Sequence, residues 1–528
     1  MKSLMKRVFA AAAAIATVFG LAATTVATAN AADNATLTVS TTDAKFAGKT
    51  VNAYKMFSAT VSGDGKAVSY TLTDEWKPFF KNSVGLTGVT DENVNDKAND
   101  YVSKLKDSTL VAFATKASNW AQTKANNITA DATATVSADA SNGKYTATFT
   151  GLGYGYYVVA VPGATLANAK SQYATLVSVH STKVDADIKG DLPTVDKKVQ
   201  VDGTGKDATD AKIGDTLTFT LTSTIPDMSA YDTYTFNFKD TLSKGLTFGQ
   251  VKSVKVENVT LTENTDYTVT TPTASNNNTL TVAMKDFKTK QQANAGKKIT
   301  VTYTATLNEN AVVGGAGNVN SAKIQYSNNP STNGTGESEP SKVRVFTYGF
   351  TVDKYTGDQY TDAATRLAGA EFTLAHKDGS AISFVQVSAD SATANAVYRV
   401  AKAGETGTTT ITTPANGKVV FEGLENGEYT LTETKAPAGY NKLASAIGVK
   451  VDGQNNGTDT TNATVTITYN NDNGNDYNQT ASNGVIPVQN KSGAILPGTG
   501  GMGTIAFTVI GVLVIALGVA WTLKRKNA

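Results

Sequence analysis

Two groups of residues in this 528-residue chain are equipped for covalent chemistry. The first is the run Leu496-Pro497-Gly498-Thr499-Gly500, followed by an apolar stretch from about Gly503 to Leu523 and then by Lys524-Arg525-Lys526. Pro497 fixes an extended backbone and the glycines free its flanks, so an enzyme outside a membrane could grip and cut the peptide there. About 20 apolar residues suffice to cross a bilayer as one helix, and a basic tail behind them favours a cytoplasmic C-terminus. The second group comprises polar side chains on apolar strand faces. Side chains alternate along a strand, so Lys197 points with Val195, Val199 and Val201, while Lys198 points the other way. By the same rule Asp240 joins Tyr234, Phe236 and Phe238, and Asn320 joins Ala322, Ile324 and Tyr326. Lys354 follows Phe350 and Val352, Glu433 follows Tyr429 and Leu431, and Asn490 follows Val488. Burial among apolar groups disfavours an ammonium, and the neutral amine that results is a nucleophile. A carboxylic acid kept protonated by burial can hydrogen-bond a carbonyl and stabilise a developing oxyanion. An inward lysine with no partner would be costly.

The elements that must hold these groups are strands. Short alternating runs such as Thr36 to Val39, Thr216 to Leu221 and Thr464 to Tyr469 recur between turn residues, and one soluble helical region is expected around Asn95 to Trp120. An all-β fold of tandem β-sandwiches follows. Pattern breaks at Ile188 to Val195 and near Ser338 to Phe346 divide the chain at about 190 and 345, giving domains over 32–190, 191–345 and 346–492. At the N-terminus, Lys2, Lys6 and Arg7 precede an apolar core from Val8 to Ala23, and small residues follow. That pattern predicts a signal peptide over 1–31, cut between Ala31 and Ala32, with Ala29 as the neighbouring option. The 47 basic and 45 acidic side chains balance, so nothing recommends nucleic acid as a partner. The chain has no cysteine; an exported protein without disulfides needs another covalent brace or very good packing.

Three stretches carry a family resemblance. Leu496 to Gly500, the apolar run and the basic stop over 493–528 resemble the sorting signal of sortase substrates, the L-P-x-T-G proteins of Gram-positive bacteria. Leu367-Ala368-Gly369-Ala370-Glu371-Phe372-Thr373-Leu374, Gly417 to Leu424 and Gly427 to Tyr440 resemble the CnaB-type domain of pilins and collagen adhesins, a reversed immunoglobulin-like sandwich. Val195 through Phe236 to Leu242 and on to Asn320 to Asn328 resembles the middle domain of sortase-assembled shaft pilins, and Asn52 to Met56 with Gly153 to Val159 resembles their N-terminal domain less specifically. The resemblance implies that each sandwich can be locked by an amide between a lysine and an asparagine, assisted by an acid and needing no cofactor or metal. It assigns Lys197, Asn320 and Asp240 to the middle domain and Lys354, Asn490 and Glu433 to the last. Aligning Gly155-Tyr156-Tyr157 on Gly427-Glu428-Tyr429 puts Val161 where Glu433 sits, so no bond is expected in the first domain.

The same resemblance implies that a sortase cleaves between Thr499 and Gly500 and passes the Thr499 carbonyl to a lysine of the next, identical subunit. Family members present that lysine near the first domain junction, often after Tyr-Pro; here Lys189 occupies the place without Tyr-Pro, with Lys183 and Lys198 as alternatives. The implied partners are a pilus sortase and a housekeeping sortase, identical subunits, peptidoglycan, a tip pilin and host-surface ligands. The expected function is the major shaft subunit of a covalent pilus that serves adhesion. The alternative is a monomeric wall-anchored adhesin with CnaB-type stalk domains. Gly498-Thr499-Gly500-Gly501-Met502-Gly503 fits G-x-G-x-x-G but lies outside any βαβ unit, so it is no nucleotide site. His180 and His376 are the two histidines of the chain, which argues against zinc or a Ser/His or Cys/His nucleophile.

Overall fold

The computed structural model describes residues 34–493 apart from 63–66, 331, 333, 362–363, 389–394, 455–462 and 471–475, together with Ile515. The leader with Ala31 and Ala32, the peptide Leu496 to Gly500 with Thr499, and the basic tail lie outside the described residues. Among those described, no helix is long and apolar enough to cross a membrane.

The fold is all-β with sheet pairs in series. In the first pair, Ala35–Thr41 lies between Tyr145–Leu152 and Lys183–Asp187, facing a five-stranded sheet built on Thr50–Val61 and Gly155–Thr165. The outer face of that second sheet is covered by helices Lys77–Asn82, Val94–Ser103 and Asp107–Gln122. Trp76, Phe79, Phe80 and Phe113 pack there against Phe57, Tyr156 and Val158. Burial on both faces explains why Gly155 to Val161 is continuously apolar instead of alternating. The helical region expected around Asn95 to Trp120 is two helices, interrupted where Lys106 turns extended and its backbone N–H donates to Thr109 Oγ1 at 2.9 Å.

Sheet membership changes between Asp187 and Asp196. The next sandwich faces a six-stranded sheet, with Asp196–Val201, Thr216–Thr224 and Lys298–Leu307 side by side, against a seven-stranded one that includes Phe236–Leu242, Asn318–Ser327 and Ser341–Phe346. Membership changes again at Thr347. In the last sandwich Tyr348–Thr356 pairs antiparallel with Lys418–Leu424 and parallel with Val485–Gln489, bringing the first and last strands together. Its opposite sheet is centred on Glu371–His376, Gly427–Lys435 and Ile447–Gly453.

Candidate functional site

In the middle sandwich, Lys197 sits opposite Leu221 on one sheet, while Asp240 and Asn320 come from adjacent strands of the other, with Asn320 opposite Leu242. Lys197, Asp240 and Asn320 are all 0 % exposed, as their alternation requires. The Lys197 Nζ contacts Asp240 Oδ2 directly and lies 5.2 Å from the ring centroids of both Phe219 and Tyr303. These rings stack at 5.3 Å and wall the amine off from water. Burial pushes its pKa down from 10.5 to about 8, against the raising effect of Asp240. The amine is thereby brought within reach of neutrality near physiological pH.

Tyr303 is the member that inspection of the lysine, acid and asparagine strands missed. Its hydroxyl accepts from Lys197 Nζ at 2.9 Å and from Asn320 Nδ2 at 2.6 Å, and donates to Asp240 Oδ2 at 2.6 Å. Burial and the Asp240 charge hold its pKa well above 10, so it stays a donor. The signal was available: Ile299, Val301, Tyr303, Ala305 and Leu307 are buried in alternation, and a tyrosine at the centre of such a face must find partners for its hydroxyl. Asn320 Oδ1 and Asp240 Oδ1 are buried without a hydrogen bond, so the oxygen on which an oxyanion would form and one oxygen of the acid are both uncommitted.

In the last sandwich Lys354 and Asn490 come from the paired first and last strands, with Lys354 opposite Val488 and Asn490 N donating to Tyr355 O at 3.0 Å. Glu433 reaches in from the facing sheet, where it is paired with Phe372. The three side chains are at most 2 % exposed. Lys354 Nζ is 3.1 Å from Glu433 Oε1, and Asn490 Nδ2 donates to Glu433 Oε2 at 3.0 Å and to Asn441 O at 2.9 Å. Leu443 N donates to Glu433 Oε2 at 2.8 Å, so the segment after the Gly427–Lys435 strand closes over the site. The Phe372 ring lies 5.7 Å from the amine, and burial again lowers the Lys354 pKa to about 8. Asn441 and Leu443 lie in a covering loop that leaves no periodic trace, whereas Phe372 alternates inward with Leu374 on the Glu371–His376 strand.

Among its described residues the first sandwich offers no equivalent. Tyr157 donates to Gly153 O at 2.6 Å and Tyr429 to Glu425 O at 2.7 Å, so the two aligned segments share one local hydrogen bond. Val161, at the place of Glu433, is a buried member of the core, and among the described residues of this sandwich no lysine and no carboxylate is buried. Of the junction lysines, Lys189 and Lys183 are exposed, whereas Lys198 is half-buried between Asp207 at 2.5 Å and Asp196 at 3.4 Å.

Residues 213–330 match the family model of the Gram-positive pilin backbone subunit 2, Cna-B-like domain, and residues 358–464 match that of SpaA, a prealbumin-like fold domain. The trypsin-resistant surface T6 protein of Streptococcus pyogenes serotype M6 is 26% identical over 279 residues, 48% of this chain; the match spans 44% of the relative's length. Among solved structures, the T6 backbone pilin of serotype M6 Streptococcus pyogenes is 20% identical with a TM-score of 0.45, covering 80% of this chain and 83% of that one. A 35 kDa C-terminal fragment of the major pilin GBS80 of Streptococcus agalactiae is 25% identical with a TM-score of 0.41, covering 57% of this chain and 100% of that one. Two segments of the chain, residues 213–330 and 358–464, thus match domain families described as the Gram-positive pilin backbone and the SpaA prealbumin-like fold.

Proposed function

We propose that the chain is the structural major subunit of a covalent cell-surface pilus, with no catalytic activity beyond the closing of its own internal amides, and that it divides into domains over 32–190, 191–345 and 346–492. The observation that carries the reading is the buried lysine, acid and asparagine set found twice, once in each of the two sandwiches that contain a matched segment. Burying three such groups is costly for stability alone, and condensation of lysine with asparagine removes the charge and the cost together. In each domain the neutral amine attacks the asparagine Cγ, the carbonyl electrons move to Oδ1, and the amide nitrogen leaves as ammonia. A subunit braced in this way suits a shaft that must bear tension without cysteine.

Assembly on this reading needs two further residues. The sortase thiolate attacks the Thr499 carbonyl and releases Gly500 as an amine, and the Lys189 Nζ of a second copy then attacks the acyl-enzyme to form the inter-subunit amide. The exposure of Lys189 supports its role as acceptor, and the two carboxylates around Lys198 weigh against that alternative. The last copy joins peptidoglycan through a housekeeping sortase, and the polymer extends from the cell surface, where a tip pilin and host-surface ligands are its further partners. Immunoblotting of cell-wall extracts boiled in detergent tests this directly: a ladder of high-mass species is expected, whereas a single band would identify a monomeric wall-anchored adhesin.

A further inference from the structure

The two buried sites solve one geometric problem differently. In the last domain Glu433 touches both reactants, Oε1 facing the Lys354 amine and Oε2 accepting from the Asn490 amide nitrogen. In the middle domain the acid is an aspartate, one methylene shorter, and it makes no hydrogen bond to Asn320. The gap is filled by the Tyr303 hydroxyl, which touches the nucleophilic nitrogen, the departing nitrogen and the acid at once. At the corresponding amine the last domain presents Phe372, which has no hydroxyl.

We propose that Tyr303 is a catalytic residue of the middle domain, carrying the proton from Lys197 Nζ to the departing Asn320 Nδ2. This rests on the reading of Lys197, Asp240 and Asn320 as a bond-forming set. The ammonium first yields a proton to Asp240, leaving a neutral amine and a carboxylic acid. Attack forms the Nζ–Cγ bond and moves the carbonyl electron pair to Asn320 Oδ1, which holds no hydrogen bond in the structure. The Lys197 nitrogen is now cationic, and the Asn320 nitrogen has become an amine with a free lone pair. Tyr303 gives its hydroxyl proton to Nδ2 and takes one from Nζ, so the phenol is regenerated. The C–Nδ2 bond breaks, the Oδ1 electron pair re-forms the carbonyl, and ammonia leaves with its two original hydrogens and the one from Tyr303. A phenol suits this exchange because its one O–H and two lone pairs are already committed to the three groups that trade the proton.

The test is the rate of each crosslink in the full chain, synthesised cell-free, quenched at intervals and analysed by peptide mass spectrometry. Tyr303→Phe keeps the ring and removes the relay. It should slow the Lys197–Asn320 crosslink by roughly 100-fold, the scale of a lost general acid–base, and leave the Lys354–Asn490 crosslink at the wild-type rate. Equal Lys197–Asn320 rates in Tyr303→Phe and wild type would overturn the relay while leaving the bond-forming set intact. A wild-type chain that never joins Lys197 to Asn320 would overturn the set itself and the relay with it. Should Tyr303→Phe fail to fold, judged by loss of protease resistance in the middle domain, a chain made with 3-fluorotyrosine keeps the shape and acidifies the phenol. The middle-domain rate should then change and the last-domain rate should not; an unchanged middle-domain rate, or equal changes in both, would overturn the proposal.

Discussion

At Lys197 the cost of burying an ammonium and the chemistry that removes it meet in one side chain. With Asn320 replaced by alanine the lysine has nothing to join, and its native pKa of about 8 against an ordinary value of 10.5 becomes a stability statement. Between these values the unfolded chain binds more protons than the folded one, so the stability of Asn320→Ala should rise with pH from about 8 to 10.5 and be flat below 8. Urea midpoints for the middle domain at pH 7.5 and 9.5 check this; Lys197→Met in the same background should abolish the rise. In the last domain, Glu433→Ala should leave Lys354 and Asn490 present but unjoined, visible as two separate peptides by mass spectrometry. Alternation was enough to turn each of these six side chains inward. It could not show that Tyr303 spans the gap between facing sheets, since period-two reading assigns a face and never the distance across it. Nor could it show that Asp353, on the opposite face from Lys354, is buried as well: Arg366 Nε at 2.7 Å and the Tyr360 hydroxyl at 2.9 Å cover it.

The strands that carry Lys354 and Asn490 open and close the last sandwich, so a bond between them closes nearly the whole domain into a loop. By analogy with disulfides, closure over that length is worth on the order of 4 to 5 kcal/mol through the unfolded state. Glu433→Ala should therefore let trypsin digest the last domain well before the middle one, whose own set is untouched; equal resistance of mutant and wild type would contradict the brace. The lysine strand is also sensitive at Gly349, where its register against Lys418–Leu424 shifts and a Cβ would overlap Phe421 O. Gly349→Ala should lower the stability of this domain by about 1 to 3 kcal/mol, measured by chemical denaturation. Strands were legible wherever one face met solvent, as at Phe236–Leu242. The continuous apolar run at Gly155–Thr165 carries no such alternation, because helices cover its outer face and remove the polar half of the pattern.

Across the whole molecule, charged and amide side chains fasten the domain junctions. Buried Asp227 accepts from Gln172 N at 3.1 Å across the first junction, and Asp210 accepts from Asn426 N at 2.8 Å across the second, where Lys402 also pairs with Glu309 at 2.6 Å. None of these contacts was legible in the sequence, since they join residues whose neighbourhood exists only once the domains have docked. Lys189 is itself exposed in the connection between the first two domains. Lys189→Arg keeps its charge but removes the usable amine, so the ladder from wall extracts should vanish while wall-attached monomer remains; if Lys183→Arg or Lys198→Arg removes it instead, the acceptor is that lysine. The central claim, however, is that two domains are internally bonded and the first is not, and one number decides it. The intact mass of purified residues 32–493 should fall below the sequence mass by about 34 Da, one ammonia of about 17 Da for each Lys–Asn condensation. A deficit near zero would contradict the account, as would a deficit near 51 Da, which would require a third bond where Val161 supplies no acid.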